Sequence, residues 1–226
     1  MIFFLFFTSL LNGYCEDFKA IFAEDYVEAV HMLKEKEDFI DSLSVVYQQD
    51  PSRTRAIVFP ELIRYNLIRD ILEKNTLEVV YVNTGMADFS IGPFQIKPSF
   101  AEKIEEQVKK NDYLKKFRDF FEYNATDPVK IRAERIDRLK SLDSQIHYIF
   151  AFQSYMEKNY GYLENERLKY HLRFLSTAYN YDFLASGKDI EAYMNKKFFP
   201  WGRLNDKKKY NYADISWYYY QNEIIF

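Results

Sequence analysis

The stretch Asp88-Phe-Ser-Ile-Gly-Pro-Phe-Gln-Ile-Lys-Pro-Ser99 decides how this chain is read. It places Gly92, Pro93 and Pro98 in one short run of a sequence with only 6 glycines and 6 prolines. Gly92 can take a positive φ or let another group approach the backbone closely. Pro93 and Pro98 fix their own φ and push the residues before them out of the helical region. Gln95 offers an amide with two donors and an acceptor, suited to gripping a sugar or orienting a carboxylate. An ordinary loop between two helices would show the same features, so the flanking sequence has to settle its meaning.

Upstream, Asp50-Pro-Ser52 is a break whose Asp or Ser can cap a following helix, predicted from Arg53 to Val58. Pro60 should kink or restart that helix. Glu61 would then sit at an irregularity beside Phe59 and Leu62. Apolar surroundings disfavour an ionised carboxylate and raise its pKa, which suits a general acid near neutral pH. The plainer alternative is a surface glutamate paired with Arg64 or Arg69. Downstream lie Ser176-Thr-Ala-Tyr-Asn180 and the aromatic run from Tyr212 to Tyr220.

Ser90-Ile-Gly-Pro-Phe-Gln-Ile followed by Pro98 resembles the Ser-x-Gly-Leu-Met-Gln-Ile…Pro signature of soluble lytic transglycosylases and goose-type lysozymes. Arg55-Ala-Ile-Val-Phe-Pro-Glu61 resembles the helix that ends on that superfamily's catalytic glutamate. Ala178-Tyr179-Asn180 matches its Ala-Tyr-Asn motif, in the right order. The resemblance runs from about residue 53 to 220. The chain departs at Leu62, where Ser is common, at Pro93-Phe94 in place of Leu-Met, and at Tyr181-Asp182 after the last motif.

The resemblance implies a mainly α, lysozyme-like α+β fold, with a helical lobe around a long central helix and a substrate groove. It implies cleavage of the β-1,4 bond between N-acetylmuramic acid and N-acetylglucosamine in peptidoglycan, with Glu61 as acid and then base. In lytic transglycosylases the sugar's 6-hydroxyl attacks, the product is a 1,6-anhydro sugar, and no second carboxylate is needed. In goose-type lysozymes an aspartate before the turn helps position a water, a part open to Asp88. Asp88 serves equally well as a loop or cap residue. Ser90 and Gln95 would contact substrate or Glu61, Tyr179 would hydrogen-bond near the Glu61 carboxyl, and Asn180 would bind the sugar beside the scissile bond. Two alternatives belong to other classes: a non-catalytic glycan-binding or envelope scaffold protein with a degenerate lysozyme-like fold, and a purely helical interaction domain.

Composition sets the outer bounds. The 226 residues suit a leader, residues 1–15, and one domain, residues 16–226, with an N-terminal helical extension. The first 15 residues form an apolar run of signal-peptide length, too short to span a membrane comfortably. Its removal before Glu16 would leave no cysteine and no disulfide and would make the protein secreted or periplasmic, the alternatives being a retained anchor or a lipidated Cys15. With 21 Phe and 20 Tyr there is ample core, plus aromatic surface for stacking sugars. A net charge of −3 gives no reason to expect a nucleic acid partner, and Lys207-Lys-Lys209 reads as a solvated loop. His31, His147 and His171 are far apart in sequence, so no metal is expected. Neither a phosphate loop nor a Ser/His/Asp set is present, so no cofactor is expected.

The remaining pattern is helical. Residues 16–49 carry Phe18, Ile21, Phe22, Val27, Val30 and Leu33 on one stripe. Residues 62–82 continue as helix with Leu62, Leu67, Ile71, Leu72 and Val79 inward, or turn to strand over 78–82. Ser99 and Glu102 form a capping box ahead of a stripe of Phe100, Ile104 and Val108. Residues 129–158 make one long core helix. Short helices follow over 189–196 and 211–220.

Overall fold

The fold comes from a computed structural model that describes residues 16–68, 74–200 and 208–225. The expected leader therefore lies outside the described residues, as do Arg69, Ile71 and Leu72. The chain is mainly α, with eleven α-helices and one small two-stranded sheet among the described residues. None of these helices is long and apolar enough to cross a membrane.

Helix α1 (Phe18–Glu35) buries Phe18, Phe22, Tyr26, Ala29 and Leu33. Ile21 and Val27, expected inward, are exposed, because Tyr26 and Ala29 hold the inward positions instead. Helix α2 (Glu37–Tyr47) follows at once and ends on Gln48 in the left-handed region. Asp50 then caps α3 (Pro51–Ile68): its Oδ1 accepts from the backbone N–H groups of Ser52 and Arg53, at 2.9 and 3.3 Å.

Helix α3 continues through Pro60 rather than restarting there. An interior proline removes one helical hydrogen bond and costs about 3 kcal/mol. Burial offsets that cost here. Ile57, Val58, Phe59, Leu62 and Ile63 are all fully buried, and Phe59 stacks on Tyr219 at 4.1 Å between centroids.

Helix α4 (Lys74–Thr84) covers the segment that also read as strand. It turns Val79 outward, 61% exposed, so Val79 is not core. After the central loop, α5 (Pro98–Lys110) starts with Lys97 as its N-cap and Pro98 in its first turn. The expected Ser99–Glu102 capping box does not form. The Ser99 N–H donates to Asp88 Oδ1 at 3.1 Å, and Glu102 is taken by Tyr81 and Arg135. Ile104 and Val108 are buried as expected. A 3₁₀ turn and the short α6 (Arg118–Phe121) lead to α7 (Pro128–Lys140), which Asp127 caps.

The expected single helix over 129–158 is two. Helix α7 ends at Lys140, Ser141 takes extended backbone angles, and its Oγ accepts from Ser144 N–H to start α8 (Leu142–Asn159). Serine competes for backbone partners in this way, and apolar periodicity does not register it. Helix α8 is the central one. It buries Ile146, Tyr148, Ile149, Phe150, Phe152 and Met156 on several faces and packs on α2, α3, α5 and α7.

Helix α9 (Leu168–Asn180), the short α10 (Gly187–Tyr193) and α11 (Tyr212–Tyr219) complete the chain. Strands β1 (Lys197–Phe199) and β2 (Tyr210–Asn211) pair antiparallel, which the sequence reading missed. Strands this short carry no alternation to detect. Helix α3 packs on α1, α9 and α11, so the segments of Glu61, Tyr179 and Tyr212 meet along α3.

Candidate active site

The central loop is built around one buried amide. Ile91 and Ile96 pair in both directions, their N–H groups donating to each other's carbonyls at 3.0 and 3.1 Å. Gln145 of α8 is fully buried beneath them. Its Nε2 donates to Ile91 O at 2.6 Å and Leu139 O at 2.8 Å, and its Oε1 accepts from Phe94 N–H at 2.9 Å. The break at Ser141 lets Gln145 reach the carbonyl of Leu139.

Gly92 sits at φ +65° against this amide. A Cβ there would lie 2.5 Å from Gln145 Nε2 and 2.6 Å from Leu139 O. Gly92→Ala should therefore lose about 2–3 kcal/mol, from left-handed strain plus overpacking. Urea denaturation measures it, and a variant within about 0.5 kcal/mol of the parent, an ordinary surface substitution, would refute this account of the turn.

Gln95 also has a positive φ, +52°, a conformation that side chains other than glycine rarely take. Its Nε2 donates to Gly92 O at 2.8 Å, while its buried Oε1 has no hydrogen-bond partner. Strain of this kind clusters at functional sites.

Glu61 is 3% exposed. It is not the surface glutamate of the plainer alternative, although it does meet Arg64, whose Nη2 lies 2.7 Å from Oε2. The contact is one of charge rather than a well-directed N–H bond, since Glu61 Oε2 and Arg64 Nε both lack aligned partners. Burial pushes the Glu61 pKa up from its ordinary 4.5 to about 7, against the opposing pull of Arg64 and Lys97. Desolvation wins because the carboxyl is enclosed while Lys97 acts from the surface.

Two tyrosines border the carboxyl. The Tyr212 hydroxyl is within hydrogen-bond reach of Glu61, but its own proton goes to Ile57 O at 3.0 Å. The Tyr179 hydroxyl donates to Phe94 O at 2.7 Å, and the Glu61 charge acts on it through space. Burial first, and the Glu61 charge second, raise both phenols well above their usual range. A hydroxyl has one proton. Both protons are committed to backbone carbonyls. The Tyr212 contact opposes the rise in the Glu61 pKa, as Arg64 and Lys97 do, and burial outweighs all three.

The expected residues thus divide. Glu61 and Tyr179 come together, and Ser90 joins them through Arg64, whose Nη2 donates to Ser90 Oγ at 3.3 Å. Gln95 is one residue from the carbonyl that holds Tyr179. Asn180 is half-buried and lines a depression that also includes Tyr212. Asp88 stands at the rim: Oδ1 and Oδ2 accept from Ser99 N and Oγ at 3.1 and 3.0 Å, and Lys97 Nζ is 3.9 Å away. Sequence reasoning missed Arg64 as part of the site, taking it only as a surface partner. It also missed Tyr212 as a single contact, although the Tyr212 segment was noted.

The histidines are engaged elsewhere. His147 pairs with Tyr47 at 2.7 Å and stacks on Phe120, His171 is a buried residue of α9 itself, and His31 lies 3.6 Å from Glu35 on the surface of α1. Comparison with protein-family models, curated proteins and solved structures finds no match for this chain.

Proposed function

We propose that this protein cleaves peptidoglycan as a lysozyme-like lytic transglycosylase, acting outside the cytoplasm. The observation that carries the reading is Glu61, a buried carboxyl held near neutral pKa beside Tyr212 and Tyr179 on a helix–loop–helix arrangement. Protonated Glu61 would donate to the glycosidic oxygen as the C1–O bond breaks. Ionised Glu61, supported by Arg64, would then take the proton of the 6-hydroxyl as that oxygen bonds to C1. The products are a 1,6-anhydro sugar and a free 4-hydroxyl, and Glu61 ends protonated. That Asp88 is occupied by Ser99 and Lys97 favours this single-carboxylate course over hydrolysis.

Digestion of purified sacculi, with products read by mass spectrometry, tests the proposal. Anhydro-muropeptides support it, and reducing ends would replace it with hydrolysis. The 2.7 Å contact of Arg64 on the acid favours one second reading, a glycan-binding protein without turnover. Sedimentation with sacculi and no products would identify that case.

A general acid with a pKa near 7 predicts the pH profile. Cleavage should be fastest below pH 7 and fall as pH rises through about 7, when Glu61 loses its proton. Stability should move the same way. The folded pKa is raised, so the unfolded chain binds fewer protons between 4.5 and 7, and stability declines as pH climbs across that window. A kcat/KM that stays flat from pH 5 to 8 would count against Glu61 as the acid.

A further inference from the structure

Arg64 has two acceptors and aims at the farther one. Its Nη2 lies 2.7 Å from Glu61 Oε2, yet no N–H points at that oxygen. The N–H goes instead to Ser90 Oγ, at 3.3 Å. Arg64 Nε is buried and has no hydrogen-bond partner among the described residues. Ser90 is half-buried and directly precedes Ile91, whose pairing with Ile96 is held from below by Gln145. The central loop therefore sets where Ser90 Oγ stands, and through it where the guanidinium points. Three further groups face the carboxyl: Lys97 from the N-cap of α5, Tyr179 from α9 and Tyr212 from α11. Lys97 is more than half exposed and lies 3.9 Å from Asp88, so Arg64 exerts the larger pull of the two cations.

We propose that Ser90 is a positioning residue for the proton transfer: by accepting from Arg64 it draws the guanidinium N–H groups off Glu61 and leaves the acid able to hold its proton. The proposal rests on the reading of Glu61 as a glycan-cleaving acid. An opposite charge close to a carboxyl favours its ionised form, and a hydrogen bond to that form does so further. An Arg64 aligned on Glu61 would keep it ionised and unable to donate. Ser90 is the competing acceptor that prevents this alignment. Once the proton has left, the carboxylate is a stronger acceptor for a guanidinium than a neutral hydroxyl is. Arg64 is already 2.7 Å away and needs only to turn an N–H to hold the carboxylate for the second half of the reaction. One guanidinium thus couples the central loop to the state of the acid.

Carbon-13 NMR of glutamate-labelled protein reads the titration of Glu61 directly, its signal being assigned by loss in Glu61→Gln. Ser90→Ala should lower the midpoint from about 7 toward about 6, and Ser90→Thr, which keeps the hydroxyl, should restore it. Arg64→Gln should move it the other way, to about 8 or above, as an opposite charge at contact is lost. The double variant Ser90→Ala/Arg64→Gln should match Arg64→Gln alone, since Ser90 acts through the guanidinium. The falling limb of kcat/KM against pH should follow each midpoint. A Ser90→Ala midpoint at or above the parent's overturns the proposal, as does a double variant that differs from Arg64→Gln. Ser90 is half-buried in a loop, so its two variants alone decide the matter if Arg64→Gln does not fold. The titration is read whether or not sacculi are cut. Opposed midpoints with no products leave the coupling standing and remove the catalytic reading, whereas products with unmoved midpoints sink only this proposal.

Discussion

Glu61→Gln is expected to reduce release of muropeptides from sacculi at least about 10³-fold, within the range that loss of a positioned general acid produces. The substitution keeps the shape of the side chain and removes only the proton it transfers. The fold should survive it. Glu61 sits in a stretch of α3 where Ile57, Val58, Phe59, Leu62 and Ile63 are all buried, and none of those contacts changes. Arg64 keeps Ser90 as an acceptor at 3.3 Å and gains the Gln carbonyl oxygen. The stability decline between pH 4.5 and 7 should also flatten in the variant, because its titrating group is gone. Activity and stability can therefore be read from the same preparation. A folded Glu61→Gln protein that still cuts sacculi at the parent rate would remove Glu61 from the chemistry, and with it the single-carboxylate mechanism.

Glu105→Ala is expected to cost about 3–5 kcal/mol, the usual result of stripping one partner from a buried ion pair. Glu105 is buried, and its carboxylate takes Arg135 Nε at 2.9 Å and Nη2 at 2.6 Å. The hydroxyls of Tyr148, at 2.8 Å, and Tyr123 donate to the same carboxylate. Arg135 Nη1 extends the network to Glu102 at 3.0 Å and to the Tyr81 hydroxyl. Helices α4, α5, α7 and α8 are thereby tied to one point. Without Glu105 the guanidinium stays buried with only the half-exposed Glu102 to balance it. The midpoint of urea unfolding would report the loss. The double variant Glu105→Leu/Arg135→Met should recover a large part of it, since no charge remains uncompensated. A loss below about 1 kcal/mol for Glu105→Ala would mean that the network adds no more than a surface pair does.

How far the site was legible depends on which physical signal each residue carries. Gly92 announces a turn because only a residue without Cβ tolerates φ +65° against Gln145 and Leu139. Glu61 reads as desolvated because apolar residues surround it along a whole stretch of helix, Ile57 and Val58 one turn before it included. Gln145 carries no such signal. It is one of several polar residues in α8, and its role of holding Ile91, Phe94 and Leu139 exists only once α8 lies under the loop. Arg64 was visible as a partner of Glu61, but its place beneath Ser90 was not.

The sequence by itself determined the helical class, the turn at Gly92 and the cap at Asp50, because each follows from local backbone preference or from spacing along one element. Only the tertiary structure decided that α3 continues past Pro60, that Ser141 splits the long helix, that Val79 faces outward and that Asp88 is committed to Ser99. It also decided that Tyr212 sets the hydrogen-bonding environment of the acid. These outcomes depend on free energies summed over contacts between segments far apart in the chain. A proline's cost of about 3 kcal/mol is offset by aromatic packing on α11, and a hydroxyl's single proton goes to whichever carbonyl the packed helices bring within reach.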